Sequence, residues 1–254
     1  FPSMAYGSHN TSYSTYLYEQ VLIQAKIPFD IIFDQHMTED LSKYKVLVIA
    51  NQECMTDEQI KKIQSFVYSG GGLVITENTS LYNEWRRRRN SLGFRSLFDA
   101  DLPYPPGTKV SQTPWAIDSR WYRHTSLIKE LEGFTEEKTG QVRQKLSKGR
   151  VVYIPHIKPS VSKPASLPPK SDYWKLPENY LEMEEAVRWA AGQPLALEVR
   201  APHNVTAEWV VQEETNRMMI HLVNYDVHNQ EKIENISLWL KIPEEKQIKK
   251  IEIF

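Results

Sequence analysis

Five polar residues in a row, Thr76-Glu77-Asn78-Thr79-Ser80, close the apolar run that begins at Leu73. A strand that ends in such an elbow is where an α/β enzyme holds a nucleophile beside its base. This elbow offers a carboxylate and an amide, but no cysteine and no Gly-x-Ser-x-Gly pattern. The one cysteine, Cys54, follows the preceding apolar run and stands just before Thr56. A helix starting there could lower its pKa; the alternative is a partly buried structural thiol. A histidine, in Pro155-His156, ends a later apolar run. Glu77, Asn78 and His156 are therefore the candidate catalytic residues, although no complete catalytic set is visible. The same side chains suit helix caps and turn amides. Glu77 and Glu84 would serve as a glycosidase pair only if their carboxylates lay about 5–10 Å apart, which sequence does not fix.

Other residues could bind without reacting. Trp85-Arg86-Arg87-Arg88-Arg89 is the densest charge run. It reads as a solvated helix face, as an interface, or as a bidentate site for phosphate or an acidic sugar, with Arg87 and Arg88 as candidate contacts. Trp115, Trp121 and Tyr122 flank Asp118, Arg120 and Arg123, and Trp174 lies in a proline-rich stretch. Such aromatics stack on sugars or anchor subunit interfaces. The seven histidines show no HxxxH or HExxH spacing, so no metal site is expected. Ser8, His9 and Asn10 would sit near the end of a first strand. Asn204-Val205-Thr206 and Asn235-Ile236-Ser237 match the glycosylation sequon, which matters only in a eukaryotic secretory setting.

The elements that would position these residues follow from periodicity. Tyr13 to Lys26 reads as a helix, and Phe29 to Phe33 as a short strand. Lys45 to Ala50 is almost unbroken apolar sequence, as in a parallel strand covered on both faces. Thr56-Asp57-Glu58-Gln59 carries a helix cap with acids at the positive end. Ile60, Ile63, Phe66 and Val67 form the stripe of that helix. Gly70-Gly71-Gly72 stops it and turns into Leu73 to Thr76, which requires a right-handed parallel crossover. Arg150 to Ile154 is another buried strand, and Tyr180 to Ala191 a helix stopped by Gly192 and Pro194. From there the pattern changes. Leu195–Val199, Thr206–Gln212, Met218–Tyr225, Ile233–Ile242 and Ile248–Phe254 read as five strands without helices, an antiparallel sandwich.

Composition narrows the function classes. The chain has 254 residues, 41% hydrophobic and 25% charged, with a net charge of −1. Such a balance points to neither nucleic acid nor an anionic membrane as partner. The apolar runs are too short to span a bilayer. One cysteine permits no internal disulfide. The expectation is a soluble protein, its compartment left open between cytoplasm and periplasm or exterior of a bacterium. Phe1 at the start and a strand pattern running to Phe254 suggest a fragment of a longer protein.

Several segments together resemble a known family. They are Ile27-Pro28-Phe29-Asp30, Val46 to Ala50, Thr56-Asp57-Glu58-Gln59, Gly70-Gly71-Gly72-Leu73-Val74, and Thr79-Ser80-Leu81-Tyr82-Asn83-Glu84 followed by Leu97-Phe98. In order and spacing they resemble the trimerisation domain of β-galactosidases of glycoside hydrolase family 42. His221-Leu222-Val223-Asn224-Tyr225 is similar to part of the small β-domain that follows it in such hydrolases. The resemblance implies a flavodoxin-like, class I glutamine amidotransferase-like parallel sheet with helices on both faces over residues 1–194. Residues 195–254 would then form a small all-β sandwich domain. It also implies an upstream (β/α)8 barrel bearing the catalytic carboxylates, a homo-oligomer, and no cofactor or metal for this module. Where the amidotransferase pattern has an acid after the histidine, this chain has Lys158. The expected function is a non-catalytic accessory and oligomerisation module. The alternatives are a carbohydrate-binding module using Trp115, Trp121 or Trp174, and an independent amidotransferase-superfamily hydrolase built on Glu77, Asn78 and His156.

Overall fold

The structure is a computed structural model that describes residues 9–33, 36–37, 40–105, 131–161, 175–212, 214–226, 232–242 and 247–253. In chain order its elements begin with α1 (His9–Gln24), β1 (Val46–Ile49), α2 (Asp57–Tyr68) and β2 (Gly72–Thr76). Short strands β3 (Leu102–Pro103), β4 (Phe134–Thr135) and β5 (Val142–Lys145) precede β6 (Arg150–Ile154) and α3 (Tyr180–Ala191). Last come β7 (Leu197–Arg200), β8 (Val205–Gln212), β9 (Arg217–Asn224) and β10 (Ser237–Leu240).

The main sheet has the order β1-β2-β6-β5. β1, β2 and β6 run parallel, Leu47 facing Leu73 and Leu73 facing Val151, whereas β5 is antiparallel to β6. Every residue of β2 is buried, as its continuous apolar sequence requires when both faces are covered. On one face Ile60, Ile63 and Val67 of α2 pack on Leu73, Ile75, Val151 and Tyr153. On the other, Leu17 and Val21 of α1 and Met183, Ala186 and Ala190 of α3 pack with Val74, Val152 and Ile154. Helices thus cover both faces, as expected.

Local signals explain the helix ends. Thr56 and Gln59 form the complete capping box, each side chain bonded to the other's backbone N–H. α1 ends in a Schellman motif: Ile27 N donates to Leu22 O and Lys26 N to Ile23 O, with Lys26 at φ 57°. A lysine takes the left-handed position that glycine usually fills. Gly192, at φ 71°, ends α3 in the same conformation.

Two strand expectations need correction. Phe29–Phe33 forms no strand; it has no ladder partner, and Phe29, Ile31 and Phe33 are exposed. Residues 247–253 likewise join no ladder. Among the described residues the rear part of the chain holds four strands, paired as two separate antiparallel ladders, β7 with β10 and β8 with β9. The β8–β9 ladder does alternate as a half-covered sheet should. Its register puts Val205, Ala207, Trp209 and Val211 on one face with Met218, Ile220 and Leu222.

Candidate functional site

The carboxyl ends of β1, β2 and β6 lie side by side, because the strands are parallel and in register. Open α/β sheets bind ligands at this edge. Here it presents Asn51, the turn 77–80 and His156. Ser14, on α1, reaches it from the covering layer and donates a hydrogen bond to Glu77 Oε2, 2.7 Å. His156 Nδ1 stands 3.6 Å from Glu77 Oε1. The Tyr153 hydroxyl donates to the Glu77 carbonyl, 3.2 Å. Burial and the nearby Glu77 charge raise the Tyr153 pKa, which keeps the phenol a neutral donor.

The turn itself is held from within. Asn51 N donates to Thr76 Oγ1 (2.9 Å), and Asn51 Oδ1 accepts from Asn78 N (3.1 Å). Thr79 Oγ1 lies 2.6 Å from Thr76 O and 3.0 Å from Ile49 O. Glu77 N donates to Ile154 O, and Ser80 N to Gln52 O. Asn51, Glu77 and Ser80 all have left-handed backbones, with φ 51°, 49° and 64°. No helix follows the turn, so the expected capping role is replaced by satisfaction of the turn's own amides.

The structure therefore brings Glu77 and His156 together and adds Ser14, Asn51 and Tyr153. Ser14 lies 63 residues from Glu77, and nothing local in the sequence pairs them. Asn51 was findable as a polar residue directly after a buried strand. The groups that meet the Glu77 carboxylate include Ser14 and His156.

Cys54 does not join this cluster. It is 3% exposed and lies in an isolated parallel bridge to Tyr82. Burial pushes its thiol up to about 11; Arg86 opposes that shift and Glu53 reinforces it. A thiol so protonated is a poor nucleophile at neutral pH. The alternative, a buried structural thiol, describes Cys54 better than a thiol of lowered pKa, because loss of solvent outweighs the nearby Arg86 charge.

The arginine run is a turn, not a helix face. Asn83 Oδ1 accepts from Trp85 N (3.1 Å) and Arg87 N (2.9 Å), an Asx-type arrangement that competes with helix. Arg86 lies 3.6 Å from Glu53, and Arg89 pairs with Asp57 at 2.7 Å. Arg89 also donates to Met55 O. Trp85 stands 70% exposed at the tip, with exposed Arg87 beside it. Trp115, Trp121 and Trp174, and the side chains of Ser8, His9 and Asn10, lie outside the described residues. Among the described residues no three His, Cys, Asp or Glu side chains cluster as a metal site. No helix among them is long and apolar enough to cross a membrane.

Fold and edge together define a mixed α/β module with a largely parallel sheet, helices on both faces, and a Ser14–Glu77–His156 cluster at the elbow. Residues 6–93 match the family model of the β-galactosidase trimerisation domain. Comparison with curated proteins gave no match. Among solved structures, the chain is similar to a β-galactosidase from Bacillus circulans sp. alkalophilus, with 17% identity over 88% of this chain and 32% of that one, TM-score 0.53. It also matches the cold-adapted β-galactosidase from Rahnella sp. R3, with 16% identity over 81% and 30%, TM-score 0.49. A third match is an α-L-fucosidase isoenzyme 2 from Paenibacillus thiaminolyticus, with 16% identity over 88% and 38%, TM-score 0.47. The chain spans about a third of the length of these structures.

Proposed function

We propose that this chain is the non-catalytic, subunit-associating portion of a glycoside hydrolase-like protein of the β-galactosidase type. The observation that carries this reading is the match of residues 6–93 to a trimerisation domain. A buried, protonated Cys54 and an elbow bearing Glu77 in place of a thiol agree with it. The catalytic carboxylates would lie on an upstream (β/α)8 barrel, and the active unit would be a homo-oligomer. We further read residues 1–194 as one flavodoxin-like domain and 195–254 as a small sandwich domain. Three parallel strands between two helical layers support the first. The apolar face shared by β8 and β9 supports the second. Neither the sugar-binding nor the independent hydrolase reading has an observation in its favour.

Size-exclusion chromatography with light scattering tests association directly. The expected result is the mass of three chains, and a strict monomer at every concentration defeats the reading.

A further inference from the structure

A trimer with threefold symmetry cannot use one self-complementary patch. Each contact must join two different surfaces of the same chain, head to tail, so that three contacts close a ring. A pair of unlike surfaces of this kind is present within the matched span, residues 6–93.

The first is a hollow of about 610 Å³ lined by Phe29, Ile31, Ile32, Leu41 and Tyr44. Its rim carries Asp30 and Asp40, with Lys43 beside them. Phe29, Ile31 and Phe33 are 39%, 58% and 48% exposed, a dense apolar strip for a monomer surface. The second is the tip of the 83–89 turn. Trp85 projects there with 70% of its surface exposed, and Asn83 Oδ1 fixes its backbone. Arg87 is exposed next to it, and among the described residues no carboxylate lies within ion-pair range of its guanidinium. A hydrogen-bonded turn presenting tryptophan and arginine has the composition of an interface hot spot.

We infer that Trp85 of one copy inserts into the Phe29–Tyr44 hollow of the next, with Arg87 meeting Asp30 and Asp40 at the rim. This rests on the proposed subunit-associating function and names its contact surfaces. The occupant is a second copy of this chain for three reasons. The family match assigns trimerisation to this span. The two surfaces are opposite in shape. They also carry complementary charges at one point, Arg87 against Asp30 and Asp40, although Lys43 stands on the same rim. The apolar face of β8 and β9 is a weaker choice, since it lies outside the matched span.

The test uses the whole chain and two single variants, Trp85→Ala, which keeps the hollow, and Ile31→Asp, which keeps the knob. Both sites are exposed, and circular dichroism checks that each variant is folded. Wild type is expected to be a trimer. Each variant alone is expected to be a monomer, with each contact weakened roughly thirtyfold or more. An equimolar mixture retains one intact knob and one intact hollow, so it should form a dimer of one chain of each kind and nothing larger. If the wild type is a trimer and either variant remains one with unchanged concentration dependence, the assignment is overturned while the associating function stands. The assignment also fails if both variants are monomers and their mixture stays monomeric. A monomeric wild type removes the function itself. Charge reversal gives an independent check: Arg87→Glu and Asp30→Arg should each weaken the trimer, and their combination should restore it. Failure of the pair to restore it counts against the contact.

Discussion

The claim that Cys54 is inert can be measured through the pH dependence of stability. Burial raises the folded thiol from 9.0 to about 11, while Arg86 partly opposes the shift and Glu53 adds to it. An unfolded thiol ionises near the ordinary value. Between the two values the unfolded chain holds fewer protons than the native one, so stability falls as pH rises. For one group with these values the loss is negligible at about pH 8, near 1.4 kcal/mol at about pH 10, and about 2 kcal/mol at about pH 11. The perturbation is Cys54→Ala, compared with the native chain by urea unfolding from about pH 7 to about pH 10. Tyr18 and Tyr153 are also raised by burial, but both remain in the variant and cancel in the difference. At neutral pH the native chain should be the more stable by about 1–2 kcal/mol, from lost packing of a small buried side chain. That gap should shrink by about 1.4 kcal/mol on reaching about pH 10. A gap that stays constant means the thiol titrates normally. A gap that widens means the thiolate is stabilised in the folded state, and the inert-thiol argument is refuted.

Two further outcomes test the packing. A Cβ added at Gly72 would lie 2.4 Å from the Ala190 carbonyl oxygen and 2.7 Å from its carbon. Gly72→Ala should therefore cost about 2 kcal/mol by forcing α3 off the sheet, lowering Tm by roughly 4–8 °C. Ala190→Gly should not rescue it, because the clash is with backbone; full rescue would show the contact to be misread. Thr79→Val removes a buried hydroxyl that lies 2.6 Å from Thr76 O and 3.0 Å from Ile49 O. It should cost about 1–3 kcal/mol in urea unfolding with no change in oligomer mass, and a neutral result would remove the turn's internal bonding as a stabilising feature.

The central strand–helix–strand unit was legible because several local signals agreed there. The apolar run of β1, the Thr56–Gln59 box and the glycine stop each fix one boundary, and the burial of β2 follows from its composition. Where one signal stood alone, it misled. Phe29-Asp30-Ile31-Ile32-Phe33 has strand-type residues, but a strand needs a neighbour to bond, and sequence does not say whether one is in reach. β5 went unread for the opposite reason: Val142-Arg143-Gln144-Lys145 is polar, yet an edge strand with half-exposed faces can be. The arginine run favours helix by propensity, but Asn83 captures the amides of Trp85 and Arg87 first. In the candidate site, Glu77 and His156 were visible as polar residues at strand ends. Ser14 was not, because its partnership depends on how α1 crosses the sheet.

The left-handed backbones at Asn51, Glu77 and Ser80 show what the sheet edge does in the absence of a nucleophile. Each costs of order 1–3 kcal/mol and persists only where its surroundings over-determine it. At Glu77 they do: its N–H is taken by Ile154, its carbonyl by Tyr153, and one carboxylate oxygen by Ser14. The Glu77 side chain is only 15% exposed and is tied to the α1 layer through Ser14. The same bonding continues down the chain. Ser80 N donates to Gln52 O, Tyr82 N to Glu53 O, and Met55 N to Tyr82 O. Arg89 N then returns to Leu81 O, closing the segment that presents Trp85. An elbow that would hold a reactive atom in an enzyme here fixes the root of an exposed turn. The hydrogen bonds that hold the sheet edge therefore run on into the exposed turn and anchor both of its ends to the core.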